Sequence, residues 1–299
     1  MYVKIVQRLK RIMKMLALDA GTRDVFTLPR SSTIMTALRT MINRGFRRIP
    51  IADAGTKRLE GIISATDFIN LFGGGKKFDF VKNRHSGNLA AAVNAEIEEI
   101  MEKKVIAISD SATFSEAVET MFEKRVGGCP IINDDGKVVG IITEKDVVKY
   151  LANKSKYDAP AEDYMTKNVV TLKPRDTIKK AMETMISKKL RRLPVVDSGI
   201  LYGIVTVREI LNYFGKGHAF RMLTSGNIVD ATEKNITVLL SGDRVYYREV
   251  PTFQKDTPIS HIVKSFIEKG YGAALIVENN QLEGIITERD IVRFMYEHL

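Results

Sequence analysis

The sequence predicts an α/β (α+β) protein built from four copies of one small unit, each a strand, a helix, two strands and a second helix. Three features carry this prediction. A short motif occurs four times, an apolar stripe with helical spacing precedes each copy, and an apolar β-branched run lies between stripe and motif. The same order of features in four places makes internal repetition the main property of the chain.

The repeated motif is a glycine, two β-branched residues and a serine or threonine, with an acid three positions after the hydroxyl residue. The gaps between the first two copies and between the last two are longer than the middle gap, so the copies form two tandem pairs. A unit of this size buries too little surface to be stable alone, so we expect the units to pair. The copies are 61–64 with Asp67, 140–143 with Asp146, 203–206 with Glu209, and 284–287 with Asp290.

The elements of each unit follow from local pattern. A short apolar strand opens the unit. A helix follows, because apolar residues recur at i, i+3, i+4, i+7 and i+8 from Ile34, Phe114, Ile178 and Ile259. A β-branched run, a turn and the motif then predict a hairpin, and apolar residues beyond the acid predict the second helix. The opening strands are expected at 26–28, 106–108, 170–172 and 251–253.

Composition excludes several classes of protein. The 299 residues are 44% apolar and 27% charged, which is ordinary for a globular protein and excludes wholesale disorder. A single cysteine cannot form an intrachain disulfide, and no apolar run reaches the about 18 residues that span a membrane. We therefore expect a cytoplasmic protein with no membrane partner. The formal net charge of +10 is explained either by an anionic partner or by a merely basic surface.

The N-terminal residues 1–22 are basic and apolar. Lys10, Arg11 and Lys14 interrupt any apolar region of a signal peptide, so an amphipathic helix is expected there instead.

These units resemble the CBS domain, a module named after cystathionine beta-synthase, whose signature ends in Gly, two apolar residues, Thr or Ser, two variable residues and Asp. Four units in register are similar to the gamma subunit of AMP-activated protein kinase and its stand-alone archaeal relatives. The resemblance implies two pairs of CBS domains (Bateman modules) in a flat disc, with adenine nucleotides between paired units and phosphates pointing inward. The expected division is 1–22 for the N-terminal helix, 23–75 for the first CBS domain, 76–153 for a linker helix and the second, 160–215 for the third, and 216–299 for a linker and the fourth.

The resemblance implies roles for the motif residues. A carboxylate can accept from both ribose hydroxyls, which assigns Asp67, Asp146 and Asp290 to nucleotide riboses. Hydroxyls at a helix N-terminus can bind phosphate together with free amides. The alternative is a capping box, in which the same residues only start the helix. Glu209 departs from the signature, so we expect the third site to be empty or altered. The phosphate hydroxyls are Ser64, Thr66, Thr143, Thr206 and Thr287.

Arginine pairs precede the hairpins of the odd units, at Arg47–Arg48 and Arg191–Arg192, whereas the even units have small residues there. Arginine offers forked donors that match phosphate oxygens, and the resemblance places these pairs at a central channel. The alternative is a favourable interaction with the helix dipole or plain surface charge. The resemblance also puts the opening strands near the adenine base, although β-propensity alone explains threonine there. The candidates near the base are Thr27, Ala107, Thr171 and Thr252.

Neither a phosphate-binding loop of the G-x-x-x-x-G-K-[ST] type nor a Cys/His metal cluster is present in the sequence, and no nucleophile–base pair can be argued. The sequence therefore favours a protein that is not an enzyme. The main hypothesis is an energy sensor or regulatory protein that binds AMP, ADP or ATP without a catalytic cofactor, acts on an unidentified regulated protein, and pairs as a homodimer of discs. The alternatives are nucleic-acid binding through the basic surface, recognition of S-adenosylmethionine, and a scaffold whose motifs are only helix caps.

Overall fold

The computed structural model describes residues 15–152, 159–226, 228–240 and 250–299. Most of the helix predicted over 1–22 lies outside these residues. The described part of that segment contains a short helix, α1 (Ala17–Ala20), and a short strand, β1 (Thr22–Arg23).

The four predicted units are present, each with a helix, a hairpin and a second helix. The first strand of each unit runs parallel to the hairpin, as a ladder in units 2 and 4 and as single bridges, Leu28 to Ile51 and Leu172 to Val195, in units 1 and 3. Unit 1 contains α2 (Ile34–Arg44), β2 (Arg48–Ala52), β3 (Leu59–Ser64) and α3 (Ala65–Phe72). Unit 2 contains β4 (Ile108–Ser109), α6 (Phe114–Glu123), β5 (Gly128–Ile132), β6 (Val138–Thr143) and α7 (Glu144–Ala152). Unit 3 contains α9 (Ile178–Lys188), β7 (Arg192–Asp197), β8 (Ile200–Thr206) and α10 (Val207–Phe214). Unit 4 contains β9 (Thr252–Phe253), α14 (Ile259–Lys269), β10 (Ala273–Glu278), β11 (Gln281–Thr287) and α15 (Glu288–Glu297).

Short helices connect the units. The connection from unit 1 to unit 2 contains the predicted linker helix as two pieces and a 3₁₀ turn. The connecting helices are α4 (Phe78–His85), α5 (Leu89–Val93), the 3₁₀ turn Ile97–Glu99, α8 (Ala161–Tyr164), α11 (Gly217–Ser225), α12 (Val229–Thr232) and α13 (Thr237–Leu240).

The apolar stripes do bury the first helix of each unit. In α2, Ile34, Ala37, Leu38 and Met41 are all buried. Threonine hydroxyls start three of these helices by accepting from the backbone amide three residues on, which satisfies one of the free amides at a helix start. These N-caps are Thr33, Thr113 and Thr177.

Each hairpin is antiparallel and has an irregular register just after the residue opposite the motif glycine. The glycine is required because a segment of the paired unit crosses it closely. A Cβ at Gly140 would lie 2.9 Å from the carbonyl oxygen of Thr22, which belongs to β1. β1 pairs with β6, so the segment leading into unit 1 extends the sheet of unit 2.

In other units, too, the segment that leads into one unit pairs with the hairpin of its partner. Ile62 of unit 1 bridges Glu102, which leads into unit 2, and Ile285 of unit 4 bridges Thr166, which leads into unit 3. Units 1 and 2 therefore form one module through their sheets, and units 3 and 4 form the other.

The two modules join through helices. One hydrophobic core combines units 1 and 3, and the other combines units 2 and 4. Phe72 of α3 packs on Phe214 of α10 with ring centroids 5.2 Å apart, and both rings are buried. Each unit thus contacts its module partner through strands and the opposite module through helices, which arranges the four units around a shared centre. Among the described residues no helix has both the length and the apolarity needed to cross a membrane.

Candidate functional site at the centre of the four units

A cavity of about 870 Å³ lies where the four units meet. Residues of every unit line it, because unit 1 contributes Arg47, unit 2 Thr143, unit 3 Arg191 and unit 4 Gly272. It brings together nine of the predicted site residues, which are Arg47, Arg48, Arg191, Arg192, Ser64, Thr66, Thr143, Thr206 and Asp146.

Strand pairing explains why arginines and motif hydroxyls meet. Arg48 at the start of β2 stands opposite Ser64 at the end of β3, and Arg192 at the start of β7 stands opposite Thr206 at the end of β8. Opposed residues in antiparallel strands have neighbouring side chains. Each odd unit therefore presents a guanidinium beside a hydroxyl at the N-terminus of its second helix.

The even units supply space for these arginines. A Cβ at Gly127 would collide with the guanidinium of Arg48 and lie 2.9 Å from Nη1 of Arg191. A Cβ at Gly272 would collide with Arg192 in the same way. The small residues of the even units thus leave room for the arginine side chains of the odd units.

Two buried glutamates, not predicted from the sequence, hold part of the arginine cluster. Glu144 accepts from Nη2 of Arg191 at 2.8 and 2.9 Å, and Nε of Arg289 lies 3.5 Å from its Oε1. Glu288 accepts from both Nη atoms of Arg47, the second at 3.0 Å, and from Nη2 of Arg192 at 3.2 Å. The side chains of Glu144 and Glu288 are only 1% and 5% exposed, so these ion pairs lie away from solvent.

A sequence signal for these glutamates did exist. Both follow the motif threonine directly as the first residue of a helix, in the two even units only. The odd units have Ala65 and Val207 at that position. The alternation matches that of the arginine pairs, so charges of opposite sign occupy alternate units.

The environment shifts the titration of the cluster. Burial raises the pKa of Glu144, but the positive charges of Arg191, Arg48 and Arg289 outweigh it and hold the pKa at about 2. The pKa of Glu288 is also lowered, because Arg47 and Arg192 outweigh its burial. Both carboxylates are therefore ionised at neutral pH.

Arg48 differs from the other three arginines. Burial lowers the pKa of its guanidinium to about 10, with Glu144 opposing and the charges of Arg191 and Arg47 adding to the decrease. Within the residues that the structure describes, its guanidinium forms no hydrogen bond and no ion pair, whereas its three neighbours each bind a glutamate. Four cavity arginines and Arg289 thus surround the two carboxylates, and Arg48 is the one of the four cavity arginines that forms no ion pair within the described residues.

All four motif acids bind back to the start of their own helix, and the complete capping box is formed in units 1, 3 and 4. One carboxylate oxygen accepts from both the backbone amide and the hydroxyl of the motif Ser or Thr. In the third unit Glu209 Oε2 accepts from the amide of Thr206 at 3.0 Å and from its hydroxyl. In the others the distances from Oδ2 are 2.6 and 2.8 Å for Asp67, 3.0 and 2.7 Å for Asp146, and 2.8 and 2.8 Å for Asp290.

Cations also reach the second oxygen of two of these acids. Nζ of Lys77 lies 2.7 Å from Oδ1 of Asp67, and Nζ of Lys149 lies 3.3 Å from Oδ1 of Asp146. The pKa of Asp290 is raised, because burial outweighs its hydrogen bonds from Thr287. The capping role is thus present in every unit, and the ribose role of the aspartates stays a prediction.

The other predicted site residues lie off the central cavity. Asp67, Asp290 and Thr287 do not line it, and neither do the candidates near the base. Thr171 lines a second cavity of about 560 Å³ between units 3 and 4. The segment leading into unit 1 reaches the central cavity through Thr22, Asp24, Val25 and Phe26 rather than Thr27, and Ala107 and Thr252 line neither cavity. The described part of the chain contains no group of three or more His, Cys, Asp or Glu side chains that could hold a metal ion.

Comparison with known proteins identifies the fold. A family model described as the CBS domain matches residues 18–74, 97–153, 161–216 and 244–297. Protein MJ1225 of Methanocaldococcus jannaschii is 33% identical over 285 residues, covering 95% of this chain and 98% of that protein. A 33.4 kDa protein in a ribosomal RNA operon of Thermofilum pendens is 27% identical, covering 89% of this chain and 86% of that protein.

Solved structures agree. The crystal structure of MJ1225, described as a candidate archaeal homologue of gamma-AMPK, matches with a TM-score of 0.87 and 32% identity, covering 94% of this chain and all of that one. A conserved protein of Pyrococcus horikoshii matches with a TM-score of 0.57 and 17% identity over 92% of this chain and 97% of that one, and so shares the fold. The chain belongs to the CBS domain family and carries four CBS domains in two tandem pairs.

Proposed function

We propose that this protein is a non-catalytic regulatory protein that binds AMP, ADP or ATP between paired CBS domains, with the phosphates directed into the central cavity. The observation that carries the proposal is the arginine cluster, in which four cavity arginines face two carboxylates and the guanidinium of Arg48 has no partner among the described residues.

Electrostatics supports an anionic ligand. Moving a cation out of water is unfavourable unless an anion or hydrogen-bond acceptors compensate. Arg48 is half-buried at the cavity wall, and the burial lowers the pKa of its guanidinium. A phosphate would supply both a negative charge and hydrogen-bond acceptors for the guanidinium of Arg48. Ser64 and Thr206 lie opposite Arg48 and Arg192 at helix starts. Their hydroxyls donate to Asp67 and Glu209, so each would have to turn from its acid to donate to a phosphate.

The same feature favours adenylates over S-adenosylmethionine, which has no phosphate to offer the cluster. It also favours a small ligand over nucleic acid, because the arginines lie inside a cavity rather than on an exposed face. MJ1225, which is similar over nearly the whole chain, is described as a candidate archaeal homologue of gamma-AMPK, and this supports a regulatory role. Regulation then requires that the nucleotide bind two packings of the modules with different affinities.

The ribose assignment is part of the proposal. In each aspartate one oxygen serves the capping box, so Oδ1 is the atom for the ribose hydroxyls. In Asp67 and Asp146 that oxygen contacts a lysine, which a ribose would have to share or displace. Glu209 reaches the cap with a longer side chain, and we propose that it holds no ribose.

The test is calorimetric titration of nucleotide-stripped protein with AMP, ADP, ATP, S-adenosylmethionine and a short DNA duplex. We expect adenylates to bind and Arg48→Gln to weaken them by about tenfold, the effect of one lost charge-assisted contact. Arg58→Gln, which removes an exposed arginine at a hairpin outside the cavity lining, is the matched control and should leave affinity unchanged. Binding of DNA alone, or adenylate binding that Arg48→Gln does not alter, would refute the proposal.

The ribose role has its own matched set. Asp146→Asn and Asp290→Asn keep an oxygen for the cap but lose the charge, and we expect about tenfold weaker adenylate binding. Glu209→Gln makes the same chemical change in the third unit and should leave affinity unchanged. If all three substitutions change adenylate affinity equally, the motif acids act only as helix caps and the ribose assignment is wrong.

A further inference from the structure

Three of the four cavity arginines already bind carboxylates of the protein itself, and Arg47 and Arg191 each do so through two hydrogen bonds. Both terminal nitrogens of Arg47 donate to Glu288, and Nη2 of Arg191 donates to both oxygens of Glu144 at 2.8 and 2.9 Å. Glu288 thus occupies both terminal nitrogens of Arg47, and Glu144 occupies one terminal nitrogen of Arg191, which are donors that a phosphate would use. A nucleotide phosphate therefore cannot engage Arg47 or Arg191 fully while these contacts persist.

The glutamates can release these arginines without being left unpaired. Glu288 also binds Arg192 at 3.2 Å, and Nε of Arg289 lies 3.5 Å from Glu144. A buried carboxylate left without any partner would be strongly destabilising. The second cation removes that obstacle, so exchange of one arginine onto a phosphate is feasible at each glutamate.

We propose that Glu144 and Glu288 are internal competitors for phosphate, so that an anionic ligand binds by taking Arg47 and Arg191 from these carboxylates. The inference deepens the proposed function and rests on it. The two glutamates thereby set the affinity and phosphate preference of the cavity, since a carboxylate that stays nearby repels each added phosphate charge.

The exchange would also link occupancy to the packing of the modules. Arg47 belongs to the first module and Glu288 to the second, while Arg191 belongs to the second module and Glu144 to the first. Both contested ion pairs thus cross the boundary between modules. A ligand that takes the arginines removes two cross-module contacts and replaces them with its own, which gives the differential affinity that regulation needs.

The test measures binding of inorganic pyrophosphate and ATP to Glu144→Gln, Glu288→Gln and the double variant by titration calorimetry. Glutamine keeps the size of the side chain and loses the charge. We expect each single variant to bind pyrophosphate about tenfold more tightly than the wild type. The increase in affinity should be larger for ATP than for AMP. Glu209→Gln is the matched control. It removes a carboxylate that also lines the cavity but binds Thr206 and no arginine.

A merely structural role predicts the opposite, namely unchanged or weaker binding in a less stable protein. Should a glutamine variant fail to fold, Glu144→Asp and Glu288→Asp retain the charge but draw the carboxylate back from the fork, and they too should bind pyrophosphate more tightly. Unchanged or reduced affinity in the folded glutamate variants, or an equal gain in Glu209→Gln, overturns the inference even if the wild type binds adenylates. Absence of binding to the wild type together with tight binding to Glu144→Gln would refute the proposed function but support internal competition.

Discussion

Replacement of Glu144 by glutamine has a consequence for folding that can be calculated from its ion pairs. Glu144 is 1% exposed, and Arg191, Arg48 and Arg289 hold its pKa at about 2 against the effect of burial. The unfolded chain has an ordinary glutamate with a pKa of 4.5. The folded state therefore favours the ionised carboxylate more strongly than the unfolded state does.

The size of the effect follows from the shift in pKa. Each pKa unit corresponds to about 1.4 kcal/mol, so ionised Glu144 contributes about 3 kcal/mol to the free energy of unfolding. Because the folded pKa is the lower one, this stability is fully present above the unfolded pKa and is lost as the pH falls towards the folded pKa. Loss of one partner of a buried ion pair costs about 3–5 kcal/mol in other proteins, which agrees with this figure.

The assay is urea unfolding followed by circular dichroism at intervals from pH 7 to pH 3. We expect Glu144→Gln to be less stable than the wild type at pH 7. The difference should shrink by about 2 kcal/mol by pH 3, since the wild type alone loses the contribution of this carboxylate. Glu123→Gln, at the exposed end of α6, controls for the loss of one negative charge.

One result would refute the reasoning. If the free energies of the wild type and Glu144→Gln stay parallel over the whole pH range, Glu144 is not held ionised by the arginines. The ion-pair geometry would then not describe the protein in solution, and the inference of competition with phosphate would lose its basis.

Three further predictions concern the cavity wall and the core. Gly272→Ala should lower the free energy of unfolding in urea by about 1–3 kcal/mol, because the new Cβ would collide with the guanidinium of Arg192 and lie 2.8 Å from Cδ of Glu288, which forces this ion pair to move. Phe214→Ala should lower the free energy of unfolding in urea by about 3–5 kcal/mol, because the ring is fully buried between units 1 and 3. Cys129 should react with iodoacetamide at pH 8 far more slowly in the native protein than in urea, because burial raises the pKa of its thiol to about 11; equal rates would contradict its burial.

The repeated fold could be predicted from the sequence because each element is specified locally. The apolar stripe from Ile34 has helical period, and the β-branched run before Gly61 and the motif itself form the hairpin. The helices begin where the apolar stripes begin, but the capping residue is less clear from sequence. Thr33 and Thr113 cap these helices although Ser31 and Ser111 lie two positions earlier, because only backbone geometry selects among adjoining small polar residues.

Some residues of the candidate site could be predicted from the sequence and others could not. The arginine pairs were recognised because they alternate between units, and the structure places all four arginines on one cavity. Glu144 and Glu288 were missed because an acid at the first position of a helix is an ordinary favourable neighbour of the helix dipole. Their alternation with the arginine pairs was a signal in the sequence, but it does not show that these acids are buried against arginines of another unit.

The sequence by itself determined that this protein has four CBS units in two pairs, because hydrophobic period and the glycine-hydroxyl motif act within each unit. Only the tertiary structure decided which charges meet. Arg47 and Glu288 are separated by 241 positions along the chain, and Arg191 and Glu144 by 47, yet each pair shares hydrogen bonds. Such contacts depend on how two modules pack through α3, α7, α10 and α15, and no local pattern encodes that arrangement. The charge balance of the cavity is therefore a property of the assembled ring of four units and not of any one of them.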